Sequence, residues 1–202
     1  MSAKAEQKGL THETILESAS RLLREKGISG ARVAQVMKGA GLTVGGFYAH
    51  FASKQALIDE ALRRTGKGMR ARLFHRLEEK PPADRAEVVL RRYLSPRHRD
   101  ESSLGCPFPA VVGEVGTTAP QHRRVLGEQI DAVASELEAY LPASRARLSR
   151  RHLALGLVAL MFGGLSLARA LRGTALSDEV IRACRALGRF AARGDHATEE
   201  AP

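Results

Sequence analysis

"GLTVGGFYAHFASKQALIDEAL", residues 41–62, sets two adjacent glycines, Gly45 and Gly46, inside what the flanking residues mark as a short helix. Each glycine costs a helix roughly 0.5–1 kcal/mol relative to alanine. A segment that accepts two such losses side by side answers to something other than its own helical stability.

The surroundings of this stretch outline three compact helices within the first 52 residues. Thr11 is a capping residue, with Glu13 in the first turn where the helix dipole favours an anion. Ile15, Ala19, Leu22 and Leu23 then fall on one helical face, and Gly27 ends the helix. Val33, Val36 and Met37 define a second helix closed by Gly41. Thr43 caps the third, in which Phe47 and Phe51 share the inner side. About four residues around a glycine join the second and third helices, which is the outline of a helix-turn-helix. Ser53 caps a fourth, longer helix carrying Leu57, Ile58, Ala61 and Leu62, and Pro81-Pro82 stops it.

If residues 43–50 enter a DNA major groove, the glycines acquire a purpose, because removing side chains lets the backbone come close to bases and phosphates. Thr43 and Tyr48 offer hydroxyls, His50 an imidazole and Lys54 an ammonium, all suited to phosphate oxygens. Lys54 also opens a helix, where backbone N–H groups join it at an anion. The alternative is that Tyr48 and His50 merely cover a small helical domain.

The same residues carry a resemblance. Tyr48-Ala49-His50-Phe51-Ala52-Ser53-Lys54, followed by Gln55, Ala56 and Leu57, resembles the signature of the TetR family of bacterial transcriptional regulators. The likeness covers residues 11–62; beyond them it extends only to length and helix pattern. It implies an all-α chain, with an N-terminal three-helix helix-turn-helix DNA-binding domain and a C-terminal helical ligand-binding and dimerisation domain. It also implies phosphate-anchoring roles for Thr43, Tyr48, His50 and Lys54, and base-facing positions at Val44, Gly45, Gly46 and Ala49. Family members often cap the second helix with Ser or Thr touching phosphate. Here Ala31-Arg32 stand there, so Arg32 becomes the candidate for that contact. The base-facing set has no group able to make a bidentate bond to a base edge, although Val44 and Ala49 suit thymine methyls. Specificity is then expected from Arg32, His50 and DNA shape.

Charge and composition fit this reading. The chain of 202 residues has a formal net charge of +10, with 15 Lys and Arg against 8 Asp and Glu in residues 1–80, and 17 against 14 in the remainder. A basic segment suits a polyanion, whether nucleic acid or an acidic membrane surface, although a genome that favours arginine produces the same excess. Cys106 and Cys184 form neither a disulfide framework nor a zinc pattern, as in a reducing cytoplasm. The N-terminus lacks the apolar core of a signal peptide. The longest uncharged apolar run, Leu153 to Ala168, is shorter than the roughly 20 residues needed to span a bilayer. The expectation is a cytoplasmic protein with no membrane partner, no cofactor and no metal.

The expected division is a mobile basic arm at 1–10, a helix-turn-helix domain at 11–53, a connecting helix at 54–80, and a helical effector-binding and dimerisation domain at 81–202. Helices are expected near 84–95, 107–118, 120–141, 146–172 and 177–193, with a loop at 96–106 and a frayed end after 193. One short helix reads too few base pairs, so a homodimer is required, its recognition helices about 34 Å apart on a palindrome. Leu153, Leu157, Leu160, Met161, Gly164, Leu165 and Ala168 are the candidate dimer strip; the other reading makes them a buried central helix. The resemblance places a four-helix bundle there, with a ligand cavity in the same domain. Lining candidates are Tyr93, Cys106, Phe108, Val112, Leu126, Ile130 and Phe162, each of which also reads as plain core; an apolar pocket admits a hydrophobic effector.

Cys106, placed before Pro107 at a helix start, is a candidate electrophile-sensing thiol or a small structural residue. An enzyme using Cys106 with His98 or His122 is the remote alternative, since nothing orders a base or oxyanion site around the thiol. A ligand-independent DNA-binding protein is the other.

Overall fold

The computed structural model describes residues 3–102, 105–142 and 148–193. They form helices without strands: α1 (Ala3–Gly30), α2 (Val33–Gly39), a 3₁₀ segment (Val44–Ala49), α3 (Lys54–Leu73), α4 (Arg85–Tyr93), α5 (Pro96–Asp100), α6 (Phe108–Thr117), α7 (Arg123–Glu138), α8 (Arg150–Ala170) and α9 (Ala175–Arg193). The chain divides into two compact units, Met1–Met69 with Ser102–Gln129, and Arg70–Glu101 with Ile130–Pro202. This differs from a division at residue 81: α6 and the start of α7 belong with the helix-turn-helix. Both α3 and α7 run from one unit into the other.

In the first unit, Ile15, Ala19 and Leu23 of α1 are fully buried with Val36, Phe47, Leu57, Ile58, Phe108 and Val111. Each such side chain contributes about 1.5–3 kcal/mol by leaving water. Residues 3–10, expected as a mobile arm, continue α1 as an exposed helical extension. Thr11 accordingly caps nothing: its hydroxyl donates back to the Gln7 carbonyl at 2.9 Å, one turn earlier. Gly27 breaks the helical path with φ +68°, and three further residues continue beyond the kink. Ser53 does cap α3, its Oγ accepting from the Ala56 N–H at 3.0 Å. That helix ends at Leu73, short of the prolines. Arg76 turns left-handed at φ +49°, and the turn buries Phe74 and Leu77.

The second unit is built on α8 and α9, a hairpin closed by Gly173 at φ +92°, with α4 and α5 packed against it. Ser149 caps α8 by accepting from the His152 N–H at 3.1 Å, so the helix begins at Arg150. Residues 146–147 and the end after 193 lie outside the described residues. The expected loop at 96–106 contains α5, nucleated by Pro96 behind the Ser95 cap. By length and composition α8 is apolar enough to cross a membrane. Its Leu157, Met161, Leu165 and Ala168 are buried within the unit, and a Cβ on Gly164 would stand 2.7 Å from the Cys184 sulfur.

His98 is a pH-sensitive element of this unit. Its Nδ1 lies 2.7 Å from the Tyr93 carbonyl oxygen and its ring packs edge-on against Tyr93. Burial, with a smaller contribution from the Arg169 and Arg72 charges, lowers its pKa from 6.5 to about 4, the Tyr93 bond opposing the shift. Between those values the unfolded chain holds a proton that the native chain refuses, so stability falls as pH drops from 6.5 toward 4 and is unaffected above 6.5. The loss reaches about 3 kcal/mol. Thermal melts at pH 7.5, 6, 5 and 4 will show a smaller acid-side decline for His98→Asn than for the wild-type chain.

Candidate nucleic-acid interface

The site begins with Met37 at the end of α2. Its carbonyl accepts from the Leu42 N–H at 2.9 Å, while Gly41, at φ +72°, takes the left-handed turn that reverses the chain. Thr43 then stands extended at the N-cap of the 3₁₀ segment, and its side chain makes no capping bond. Phe47 is fully buried, with Phe51 stacked 5.8 Å away, centroid to centroid. With Phe47 turned inward, Thr43, Val44, Gly45, Gly46, Tyr48 and Ala49 all face outward; Tyr48 is 77% exposed.

Among the described residues nothing requires a glycine at 45 or 46. Neither has a positive φ. A Cβ on Gly45 would meet nothing within 4 Å, and one on Gly46 only the Met37 methyl at 3.9 Å. By contrast, Gly41 needs its left-handed backbone, and a Cβ on Gly27 would overlap the Glu114 carboxylate. The two glycines at 45–46 are therefore free of any internal demand, and they leave a bare stretch of exposed backbone bordered by Thr43, Val44, Tyr48 and Ala49.

The flanking groups are less uniform than the sequence implies. Arg32 is exposed at the N-cap of α2 and makes no side-chain cap bond. Lys54 is half-buried, and its ammonium donates to the Ile28 carbonyl at 3.3 Å. His50 is half-buried, with its Nδ1 buried and lacking a hydrogen-bond partner. Burial first, then the charges of His12 and Lys8, lower its pKa below the usual 6.5. A neutral imidazole is the consequence at pH 7, offering at most one N–H. Its neighbour His12 stacks on Phe51 at 4.4 Å and bonds Glu60 at 2.7 Å.

One participant has no signature in the sequence. Glu114, on α6, accepts from the Ile28 and Ser29 N–H groups, each at 2.8 Å, one through each carboxylate oxygen. It thereby clamps the last residues of α1, beyond the Gly27 kink, and the carbonyl of that same Ile28 holds Lys54. A single acidic residue 86 positions away from its partner leaves no spacing to detect.

The ligand candidates divide between the two units. Cys106, Phe108 and Leu126 are buried in the first unit, and Tyr93 and Phe162 in the second, stacked 5.6 Å apart. Ile130 is half-buried in the second unit. Val112 is corrected: it is 41% exposed on α6, beside the buried Val111 and Val115. The dimer strip is corrected too. Leu157, Met161, Gly164, Leu165 and Ala168 are buried within their own unit, with Leu153 and Leu160 half-buried. The exposed stripe of α8 is instead Gly156, Ala159, Gly163 and Leu167, accompanied on α9 by Leu176, Leu187 and Phe190, the last 69% exposed.

Residues 15–61 match the family model of bacterial regulatory proteins, tetR family. That stretch of the chain is similar to bacterial regulatory proteins of the tetR family. Over 49 residues it is 41% identical to the HTH-type transcriptional repressor KstR2 of Mycobacterium tuberculosis, 24% of each chain. Over 47 residues it is 43% identical to the uncharacterized HTH-type transcriptional regulator YvdT of Bacillus subtilis, 23% of this chain and 24% of that one. These matches span about a quarter of either relative's length. The fold likeness is broader. A TetR transcriptional regulator from Chloroflexus aurantiacus superposes with a TM-score of 0.74 at 24% identity, covering 90% of this chain and 95% of that one. The reduced form of E. coli NemR does so with 0.72 at 22%, covering 86% and 94%.

Because no neighbour needs a glycine at 45, Gly45→Ala will leave the circular dichroism spectrum unchanged. It will raise stability by about 0.5–1 kcal/mol in denaturant titration, since alanine costs the segment less conformational entropy.

Proposed function

We propose that the chain is a transcriptional repressor that binds a palindromic operator as a homodimer and is released by an apolar small molecule. The observation that carries this reading is the exposed Gly45-Gly46 backbone, which the fold itself does not need. Thr43, Tyr48 and Lys54 grip phosphate oxygens, and backbone N–H groups at the start of α3 add to Lys54. Lys54 exchanges the Ile28 carbonyl for a phosphate on binding. Arg32 reaches the backbone from the start of α2. His50, neutral at pH 7, acts as a single N–H donor, so its contact is weaker than an ionic one.

The homodimer forms through the exposed α8–α9 stripe, with Gly156, Ala159 and Gly163 allowing close approach and Leu167, Leu187 and Phe190 supplying apolar area. The effector occupies apolar space among the buried aromatic and aliphatic candidates, Tyr93 and Phe162 foremost. It acts on the reading head through α3, which is continuous between the units, and through the Glu114 clamp on the last residues of α1. A coupling of about 1–3 kcal/mol changes operator affinity roughly 5–150-fold. Cys106 is fully buried and His122 is committed to Asp59 at 2.7 Å, which supports neither a sensing thiol nor a catalytic pair.

Footprinting on DNA flanking its own gene tests the reading. A protected palindrome is expected, lost on addition of an apolar effector; protection that is sequence-independent with a steep salt slope points instead to a general DNA-binding protein. Gly45→Ala and Gly46→Ala will weaken operator binding about tenfold or more in gel-shift titration while the fold is retained. Unchanged affinity would remove the role given to the bare backbone. Phe190→Glu will shift the sedimentation profile toward monomer and reduce operator binding with it.

A further inference from the structure

A second basic feature lies away from the reading head, within the second unit. Glu87, Leu90 and Arg91 occupy one face of α4, at spacings of three and one. Arg182, Arg185, Ala186 and Arg189 form one stripe of α9, at i, i+3, i+4 and i+7. The two stripes face a common cleft of about 250 Å³. Its depth comes from close helix approach: a Cβ on Gly188 would stand 2.8 Å from a Leu90 methyl, so the α9 backbone rests on Leu90. Leu90 and Ala186 give the cleft an apolar floor, and four guanidinium groups surround it.

Those guanidiniums are poorly compensated. Glu87 is the one carboxylate in the lining. It is shared between Arg193 at 3.1 Å and Arg189 at 3.8 Å. Arg185 is fixed by backbone carbonyls, its Nε donating to Leu94 at 2.5 Å and its Nη2 to Arg91 at 3.2 Å. These bonds orient it but bring no negative charge. Burial, then the nearby Arg91 charge, lowers the Arg185 pKa, the direction expected where like charges crowd without a counter-ion. Neither Arg91 nor Arg182 has an ion pair among the described residues. Five positive charges, those of the four lining arginines and Arg193, against the single Glu87 charge leave about four uncompensated, and partial enclosure strengthens their joint field.

We propose that this α4–α9 cleft binds a small organic phosphate, a phosphate ester or phosphoanhydride carrying at least two negative charges. Guanidinium forks match phosphate oxygens bidentately. A monocarboxylate would leave most of the charge unbalanced, whereas a di- to tetra-anion neutralises it. The volume suits a phosphoryl group with a short carbon skeleton lying on Leu90 and Ala186, and it is too small to admit a nucleic-acid duplex. The binding does not depend on operator recognition.

Isothermal titration of the full chain with pyrophosphate in 150 mM NaCl tests the site. Saturable binding of one anion per chain is expected, weakened at least tenfold in Arg91→Gln/Arg182→Gln with the melting temperature preserved. Arg124→Gln, an exposed arginine of the first unit, should bind like wild type. A non-saturating heat, an equal loss in Arg124→Gln, or unchanged affinity in the double variant overturns the proposal. So does absence of binding combined with a change in oligomeric state in the double variant, which would mean that protein carboxylates fill the cleft.

Discussion

The burial of Phe47 decides which way the reading segment faces. A 3₁₀ segment of six residues has little stability of its own, because a short helix closes too few hydrogen bonds to offset its ordering. It is held by one side chain driven fully into the core, where it stacks with Phe51. Once Phe47 points inward, the neighbouring positions have no freedom to hide. Val44, Gly45, Gly46, Tyr48 and Ala49 must face solvent, whatever their individual preferences. The exposure of two apolar or aromatic side chains, Val44 and Tyr48, is thus imposed by a single anchor.

The second constraint acts on the last residues of α1, beyond the Gly27 kink. Gly27 takes a left-handed conformation and also leaves the space that Glu114 fills. Both Glu114 oxygens are spent on the Ile28 and Ser29 N–H groups, charge-assisted bonds stronger than neutral ones. The peptide group so held presents its carbonyl to Lys54. α6 is thus joined to the residues beyond Gly27 and to the start of α3 through three bonds within one unit.

What could be read in advance follows from which interactions are local. Helical periodicity, the Ser53 cap and the left-handed glycines at 27 and 41 are encoded within a few residues, and they recur in the structure where the sequence places them. Thr11 shows the limit: a threonine with a glutamate two residues on looks like a cap, but exposed residues 3–10 are themselves good helix formers and carry the helix past it. The end of α3 was obscured because the prolines at 81–82 are the first strong breaker, whereas the real stop is the left-handed Arg76, which no rule of composition marks. Glu114 was invisible because its partners are backbone groups, and backbone carries no residue identity.

The misassigned face of α8 has a different cause. A helix that is apolar nearly all round gives no periodic signal to say which stripe is inside. The larger residues at 157, 161 and 165 look like an interface strip because they are leucine and methionine, and they are drawn into the core for the same reason. What remains outside is small: Gly156, Ala159 and Gly163, with Leu167. Small exposed residues gain little from burial by area, but they allow a second helix backbone to approach closely, and dispersion contacts then accumulate over its length. Gly164 and Gly163 illustrate the division. Adjacent in sequence, one fits Cys184 of its own unit, while a Cβ on the other would meet nothing within 4 Å. A doubled glycine at one turn of α8 thus leaves two adjoining faces of the helix without a side chain, one filled within the unit and one with nothing within 4 Å among the described residues.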